Sequence, residues 1–481
     1  TEDGLPKDRY RRYHVEKAKG GIGLTMIGGS TVVAPDSPQA FGNIELFRDE
    51  AVGWLRDLSD ACHECGTAVM IQITHLGRRT TWHSPAWLPI LAPSSIREAA
   101  HRCYPKAMED WDISRVVEAY ADGAEKVQAA GLDGIEINAY GHLLDQFMSP
   151  LTNKRDDAYG GSLENRMRFP FEVLRAVRAR VGDMIVGLRL VCDEDTKSGI
   201  DREEGLEIAR RFKASGLIDF VNVIRGRIDT EEALSRVIPG MGARSAPHLD
   251  FAGEVRQTTR ITTMHAARIQ DVATARHAIE TGKLDLVGMT RAHMADPHIV
   301  RKIIEGREAE IRPCVGMGYC IDSIYNGEAA CVHNAATGRE RLMPHVVRPT
   351  DGPRRKVVVV GAGPGGLEAA RVAAERGHEV VVLEAQDAPG GQIRLTAGLK
   401  RRREILGIID WRVSECERLG AEIRCNVYAE ADDVLAENPD VVVIATGGMP
   451  DFSFLETGDD LATSGWDILS GAVKPAREVI V

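Results

Sequence analysis

Short apolar runs alternate with amphipathic stretches over the first part of the chain. The runs are 21–29 (GIGLTMIGG), 67–74 (TAVMIQIT), 132–138 (LDGIEIN), 184–190 (MIVGLRL), 218–224 (IDFVNVI), 260–265 (RITTMH) and 284–289 (LDLVGM). Between them, segments such as SRVVEAYADGAEKVQAAG and EEGLEIARRFKASG repeat apolar residues at helical spacing. Strand followed by helix, repeated, predicts parallel strands joined by helical crossovers. Seven such strands with no nucleotide fingerprint among them predict an α/β fold, a (β/α)8 TIM barrel short of one member. The missing strand is expected before residue 1.

The pattern breaks at 341–356 (RLMPHVVRPTDGPRRK), which is rich in Pro and basic residues, lacks an apolar period and reads as a linker. Beyond it, KVVVVGAGPGGLEAARVAAERGHEVVVLEA is strand, glycine turn, helix and strand. The expected division is a barrel over 1–340 that ends in a cysteine loop, the linker, and a dinucleotide-binding domain over 357–481. That last domain reads as incomplete, since AREVIV enters a new strand as the chain stops.

Composition narrows the classes. A 481-residue chain suits two to three domains. Its net charge of −11 argues against nucleic acid or an anionic membrane as partner. No run approaches the roughly 20 apolar residues of a membrane helix. Nine cysteines in this length are no disulfide scaffold, so a reducing cytoplasm is the expected compartment.

The strongest local chemical signal is Gly361, Gly363 and Gly366 in VVVVGAGPGG, with Glu384 closing the next strand. The glycines allow a tight turn and a pyrophosphate at the helix N-terminus, and the carboxylate suits a ribose hydroxyl. DVVVIATGG (440–448) adds a later strand and glycine turn. FAD, ADP and NAD all remain open as ligands. In the barrel, functional groups are expected at the C-terminal strand ends. Gln72 and His75 end one strand. Asn138, Tyr140 and His142 follow another. Arg189, then Arg225 and Arg227, then His265 and Arg268, then Thr290 and Arg291 end the later ones. The last two sets suit a phosphate, and so a phosphorylated cofactor in the barrel mouth. These ends carry basic and amide groups rather than carboxylate pairs, which excludes a glycoside-hydrolase reading.

NKRDDAYGGSLENRMRF (153–169) resembles a signature of the Old Yellow Enzyme superfamily of FMN barrels. With a cysteine loop and a GxGxxG domain following, the layout is similar to the trimethylamine dehydrogenase and 2,4-dienoyl-CoA reductase branch. Within it, YGHLLDQFMSP and ATGRE look most like the dimethylglycine and N-methylproline demethylases. The resemblance implies that Gln72 hydrogen-bonds the FMN ring. It places Arg189 near flavin N1 and O2, and assigns the phosphate to Arg291 and to the segment at Ala267, Arg268 and Thr290. Ala266 and Ala267 stand where the family has glycines. The signature itself reads as structural, with Ser162 as a helix N-cap.

Departures from the family pattern bear on the reaction. Ene-reductases of this kind grip a carbonyl with two side chains and protonate the alkene with a Tyr. Asn138 and Tyr140 fall near the gripping pair here, and His142 falls at the Tyr position, which counts against alkene reduction. Tyr140 and His142 suit removal of an amine proton instead. The aromatic bowl of the trimethylamine enzymes is replaced by Ser30 and Ile324, so a cation–π cage is not expected. Arg225 and Arg227 bring guanidinium groups that suit a substrate carboxylate, although local pairing with Asp229 and Glu231 is the competing expectation. The expected activity is hydride transfer to FMN from a small N-methylated amine or amino acid. The alternatives are an NAD(P)H-dependent 2-enoate or dienoyl-CoA reductase, and an electron-transfer or scaffold subunit. The expected partners are the small-molecule amine and an electron-accepting protein or subunit, in a homo-oligomer.

The family's cysteine loop supplies four thiolates to a [4Fe–4S] cluster. Cys314, Cys320 and Cys331 match the first, third and fourth, and Met317 takes the second place. A cluster with a non-cysteine or open site, a three-iron cluster and no cluster all remain open, with His333 nearby. Cys62 and Cys65 form an isolated CxxC that reads as structural. Trp82 and Trp87 lie in the long loop that follows QITHLGRR.

Overall fold

The computed structural model describes the chain except residues 82–86, 326, 459–460 and 478–481. Two compact units are present. The first comprises 1–240, 244–308 and 318–343, and the second 241–243, 309–317 and 344–481.

The first unit is built on a seven-stranded sheet among the described residues: β1 (Leu24–Val32), β2 (Ala68–Thr74), β3 (Gly134–Ala139), β4 (Ile185–Asp193), β5 (Phe220–Arg225), β6 (Thr262–His265) and β7 (Leu286–Val287). The strands stand in sequence order and every neighbouring pair is parallel. Helices Glu50–His63, Asp110–Ala129, Arg168–Val181, Arg202–Ser215 and Leu249–Thr259 cross between them and bury their apolar faces against one continuous core. This is the parallel, helix-wrapped sheet of a (β/α)8 barrel. Fully buried Ile71, Ile73, Ile135, Ile137 and Leu188 explain why the strands read as apolar runs. β1 extends past the predicted run. Its register against β2 shifts between Ile27 and Thr31, where Gly29 takes φ 81° at a bulge.

Local signals set the element ends. Asp201 and Ser162 accept hydrogen bonds from the backbone N–H three residues on, which caps the helices that follow. Gly216 ends the Arg202–Ser215 helix in the left-handed region, φ 67°. Cys62 is buried near the end of its helix, whereas Cys65 lies beyond the helix and is exposed. Trp87 is 94% exposed, while Trp82 and the side chain of Ser30 lie outside the described residues.

The second unit carries a four-stranded parallel sheet of β8 (Lys356–Val360), β9 (Glu379–Leu383), β10 (Glu422–Arg424) and β11 (Val441–Ile444), in the order β10-β9-β8-β11. Helix Pro364–Glu375 starts directly after β8 and packs on the sheet through Leu367, Ala370 and Ala374.

Candidate active site

Asn138 on β3, Arg189 on β4 and Asn222 on β5 are register partners, so the pleat turns them to one side of the sheet. One step toward the N-terminal end, Gln72 on β2 is paired with Glu136 on β3. Gln72 Nε2 donates to Glu136 Oε1 at 2.6 Å, and Asn222 Nδ2 donates to Glu136 Oε2 at 2.9 Å. Asn138 Nδ2 donates to Gln72 Oε1 at 3.2 Å. Glu136 is fully buried, and these donors offset the cost of its desolvation. The amide of Gln72 is thereby fixed, its oxygen toward Asn138 and its nitrogen toward Glu136.

Arg189 is half-buried beside this network, and no acidic side chain among the described residues forms an ion pair with it. Its guanidinium carbon lies 5.8 Å from the centroid of the Tyr140 ring. The Tyr140 hydroxyl is buried and finds no hydrogen-bond partner among the described residues. Burial raises the phenol above its ordinary pKa, against the opposing pull of Arg189 and Arg79, so it stays neutral.

His142 is also buried. Its Nδ1 lies 3.0 Å from the Thr74 hydroxyl. Burial, then the Arg79 and Arg189 cations, hold it well below the usual imidazole pKa, so it too is neutral. His75 is tied to Asp36 at 3.2 Å, and Asp36 also meets Arg115. Tyr140 and His142 therefore join Asn138 and Arg189 at one end of the barrel. His265 does not present its ring there. It follows Met264, which is the register partner of Asn222, so it alternates to the helix-facing side, where Nδ1 lies 2.7 Å from the Val223 carbonyl.

Farther round the ring, Ala266, Ala267 and Arg268 follow β6, and Gly288 follows β7. A Cβ at Gly288 would lie 2.5 Å from the Ala266 Cβ, so the two loops approach closely enough to require glycine there. Arg268 has φ 53°, and its carbonyl accepts from the Ala246 N–H at 3.1 Å. Thr290 opens the short helix Thr290–Ala295. Arg291 donates to the Pro239 carbonyl at 2.9 Å and has no acidic partner among the described residues.

Arg225 and Arg227 are not equivalent. Arg225 bridges two carboxylates, with Nε 2.8 Å from Asp193 and Nη2 3.0 Å from Asp195. Arg227 meets Asp229 alone, at 3.0 Å. It lines a cavity of about 190 Å³ with Glu194, Asp195, Thr230 and Arg236.

In the second unit, Gly361 takes φ 102°, and a Cβ there would lie 2.4 Å from the Ala445 carbonyl. A Cβ at Gly366 would lie 1.9 Å from the Gly361 carbonyl, so close packing requires both glycines. Gly363 caps the Pro364–Glu375 helix and has open space beside it. Glu384 accepts from the Ala362 N–H at 2.7 Å and from the Gln386 N–H at 2.8 Å, which ties the end of β9 to the glycine turn. The turn, helix start and carboxylate fit a dinucleotide.

The cysteines divide between the units, Cys314 in the second and Cys320 and Cys331 in the first. Among the described residues, no group of three or more His, Cys, Asp or Glu is set to hold a metal ion. Met317 at the second loop position is 45% exposed. The loop thus offers three thiolates and one thioether. No helix among the described residues is long and apolar enough to cross a membrane.

The sequence reading missed Glu136, Asn222, Asp145 and Gln146. Glu136 carried a signal, as a charged residue two before Asn138 inside an otherwise apolar strand. Gln146 had none, since a polar residue in a short helix reads as solvated.

A parallel barrel with an unneutralised guanidinium among inward amides, and a second arginine at a helix start three strands on, has the makings of a site for an anionic, phosphorylated redox cofactor. The chain belongs to the NADH:flavin oxidoreductase / NADH oxidase family, whose model matches residues 1–310, and residues 355–470 match the pyridine nucleotide-disulphide oxidoreductase model. It is 60% identical to a probable N-methylproline demethylase of Rhizobium meliloti (strain 1021), over 100% of this chain and 71% of that one. It is 47% identical to an N,N-dimethylglycine/sarcosine dehydrogenase of Chromohalobacter salexigens, again over 100% and 71%. A solved 2-naphthoyl-CoA reductase complex superposes with a TM-score of 0.90 at 30% identity, over 98% of this chain and 73% of that one. The protein is a flavin-dependent oxidoreductase, an FMN barrel followed by a nucleotide-binding domain.

Proposed function

We infer that the protein oxidatively demethylates a small N-methylated amino acid of the dimethylglycine or N-methylproline type. The observation that carries the reading is the pairing of neutral Tyr140 and His142 with the unneutralised Arg189 in one buried mouth. The names of the two relatives above point the same way.

FMN supplies a hydride acceptor at N5 and gathers negative charge at N1 and O2. Arg189 would set a fixed cation beside that charge, and Gln72, its amide oriented by Glu136 and Asn138, would hold the ring edge. Arg291, with the backbone at Ala267, Arg268 and Thr290, takes the phosphate. An amine gives up hydride only when its nitrogen lone pair is available. Burial favours that form, because an ammonium loses its hydration there and the Arg189 and Arg79 cations oppose it. The amine proton leaves to solvent before oxidation, the Tyr140 hydroxyl and the second ring nitrogen of His142 hydrogen-bond the neutral amine that remains, and Asn138 fixes the turn through its Oδ1, which accepts from the Tyr140 N–H at 2.9 Å. The imine left after oxidation hydrolyses and releases formaldehyde. Arg227 is the better placed of the two arginines for the substrate carboxylate, having one acidic partner where Arg225 has two. In the second unit the glycine turn and Glu384 receive an adenine dinucleotide, FAD or NAD. Reoxidation would pass the electrons to an acceptor protein or partner subunit.

Anaerobic mixing tests the reading. Dimethylglycine or N-methylproline should bleach the flavin and yield formaldehyde on turnover. Bleaching by NAD(P)H with no response to either amine would reject it in favour of a 2-enoate reductase.

A further inference from the structure

The turn that carries Tyr140 and His142 is tied to the neighbouring loop after β2 by the side chain of Gln146. Gln146 lies on the helix Leu143–Met148 and is buried, 2% exposed. Its Nε2 donates to the Leu76 carbonyl at 3.1 Å and to the Gly141 carbonyl at 3.2 Å. Its Oε1 accepts from the Arg78 N–H at 3.1 Å. Both amide hydrogens and the oxygen are used, and the partners fix which end is which: two carbonyls face the nitrogen and an N–H faces the oxygen. Leu76 and Arg78 belong to the loop after β2, and Gly141 to the loop after β3. One amide therefore joins the two loops across the strand ends.

Two further contacts tighten the joint. Gly141, at φ 67°, donates its N–H to Asp145 Oδ2 at 2.6 Å, so its peptide groups are gripped by successive side chains of one helix. Gly77, at φ 61°, packs so closely that a Cβ there would lie 2.2 Å from Gln146 Oε1. The loop after β2 has thus given up a side chain to let the amide in.

We propose that Gln146 is a positioning residue for the demethylation site, setting the depth of Tyr140 and His142 by clamping the Gly141 turn to the Leu76–Arg78 loop. The claim rests on the functional reading above. A buried neutral amide with three well-directed hydrogen bonds orients the backbone without adding charge to the mouth. Its loss lets the turn swing outward, rehydrates His142 and restores the ordinary titration of its ring.

The test uses the FMN-loaded enzyme and its Gln146→Met and Gln146→Ala variants. Met keeps the volume and removes every hydrogen bond, and stands in if the Ala variant is insoluble. The rate of anaerobic flavin reduction by N-methylproline should fall at least tenfold in both, with KM changed less than threefold and FMN content unchanged. The pH profile of kcat/KM should gain a new acidic limb between about pH 5 and 7, where an unburied His titrates. Gly77→Ala, which pushes on the same amide from the other side, should give the same limb. Variants that fold, reduce at the parent rate and keep the parent pH profile would overturn the clamp. A rate loss without the new limb would also overturn it, as general destabilisation. A parent enzyme that no N-methyl amino acid reduces would sink the functional reading instead.

Discussion

Arg189 lies over the ring of Tyr140, its guanidinium carbon 5.8 Å from the ring centroid, and no acidic side chain among the described residues forms an ion pair with Arg189. The cation is left available for negative charge that arises only during reaction. Replacing Arg189 by Met should lower the flavin reduction potential and slow flavin reduction by about 10²-fold or more. Spectroelectrochemical titration and stopped-flow reduction measure the two effects, and an unchanged potential would remove Arg189 from the flavin.

The Tyr140 hydroxyl is buried without a hydrogen-bond partner, which costs stability of about 1–3 kcal/mol. Tyr140→Phe should therefore melt at the same temperature as the parent or higher, while its rate of flavin reduction by substrate falls. A variant that melts lower and turns over normally would show that the hydroxyl serves packing rather than chemistry.

The two mouth arginines should separate cleanly. Arg227→Ala is expected to raise KM for N-methyl amino acids at least tenfold, with kcat less affected, because it removes binding common to ground and transition states. Arg225→Ala leaves Asp193 and Asp195 without their shared cation and should lower Tm first. Equal KM values in parent and Arg227→Ala would dismiss the carboxylate contact.

Stability should fall in acid. Burial holds His142 well below its ordinary pKa, His265 at about 4 and His14 at about 3. In the unfolded chain each titrates near 6.5, so stability present above that pH is lost as it drops, by up to about 1.4 kcal/mol per pH unit per group. Asp145 and Glu194 act in the opposite sense. Burial raises both, and their contribution is lost as pH rises out of the acid range. Melting curves at constant ionic strength should show Tm decreasing from pH 7 to pH 5. His14→Gln should flatten the slope.

The cysteine loop makes a compositional prediction. With Met317 at the second position, anaerobically purified protein should contain well under four iron atoms per chain. Met317→Cys restores the four-thiolate pattern and should raise both iron and acid-labile sulfide. Stoichiometric iron in the parent would show that three thiolates suffice.

The barrel was legible because its strands are buried on both faces and so appear as unbroken apolar runs, each followed by a helical period. The polar residues that interrupt those runs, Gln72, Asn138 and Arg189, marked the inward face. Three-dimensional pairing was not legible. Nothing in the order of residues says that Arg225 spans Asp193 and Asp195, thirty positions upstream, or that Gln146 reaches back to Leu76. His265 misled for a simpler reason. The strand end was right, but the side chain alternates away from the mouth, and register alone decides which of two successive residues faces inward.

The carboxylate of Glu136, held between the amides of Gln72 and Asn222, has an evolutionary corollary. Exchange of any one member strands a donor or an acceptor where water cannot replace it, so single steps away from this trio are all downhill in fitness. Related barrels should keep the three together or swap them as a set, and a chimera that mixes β2, β3 and β5 from lineages with different trios should misfold even though each strand is individually sound.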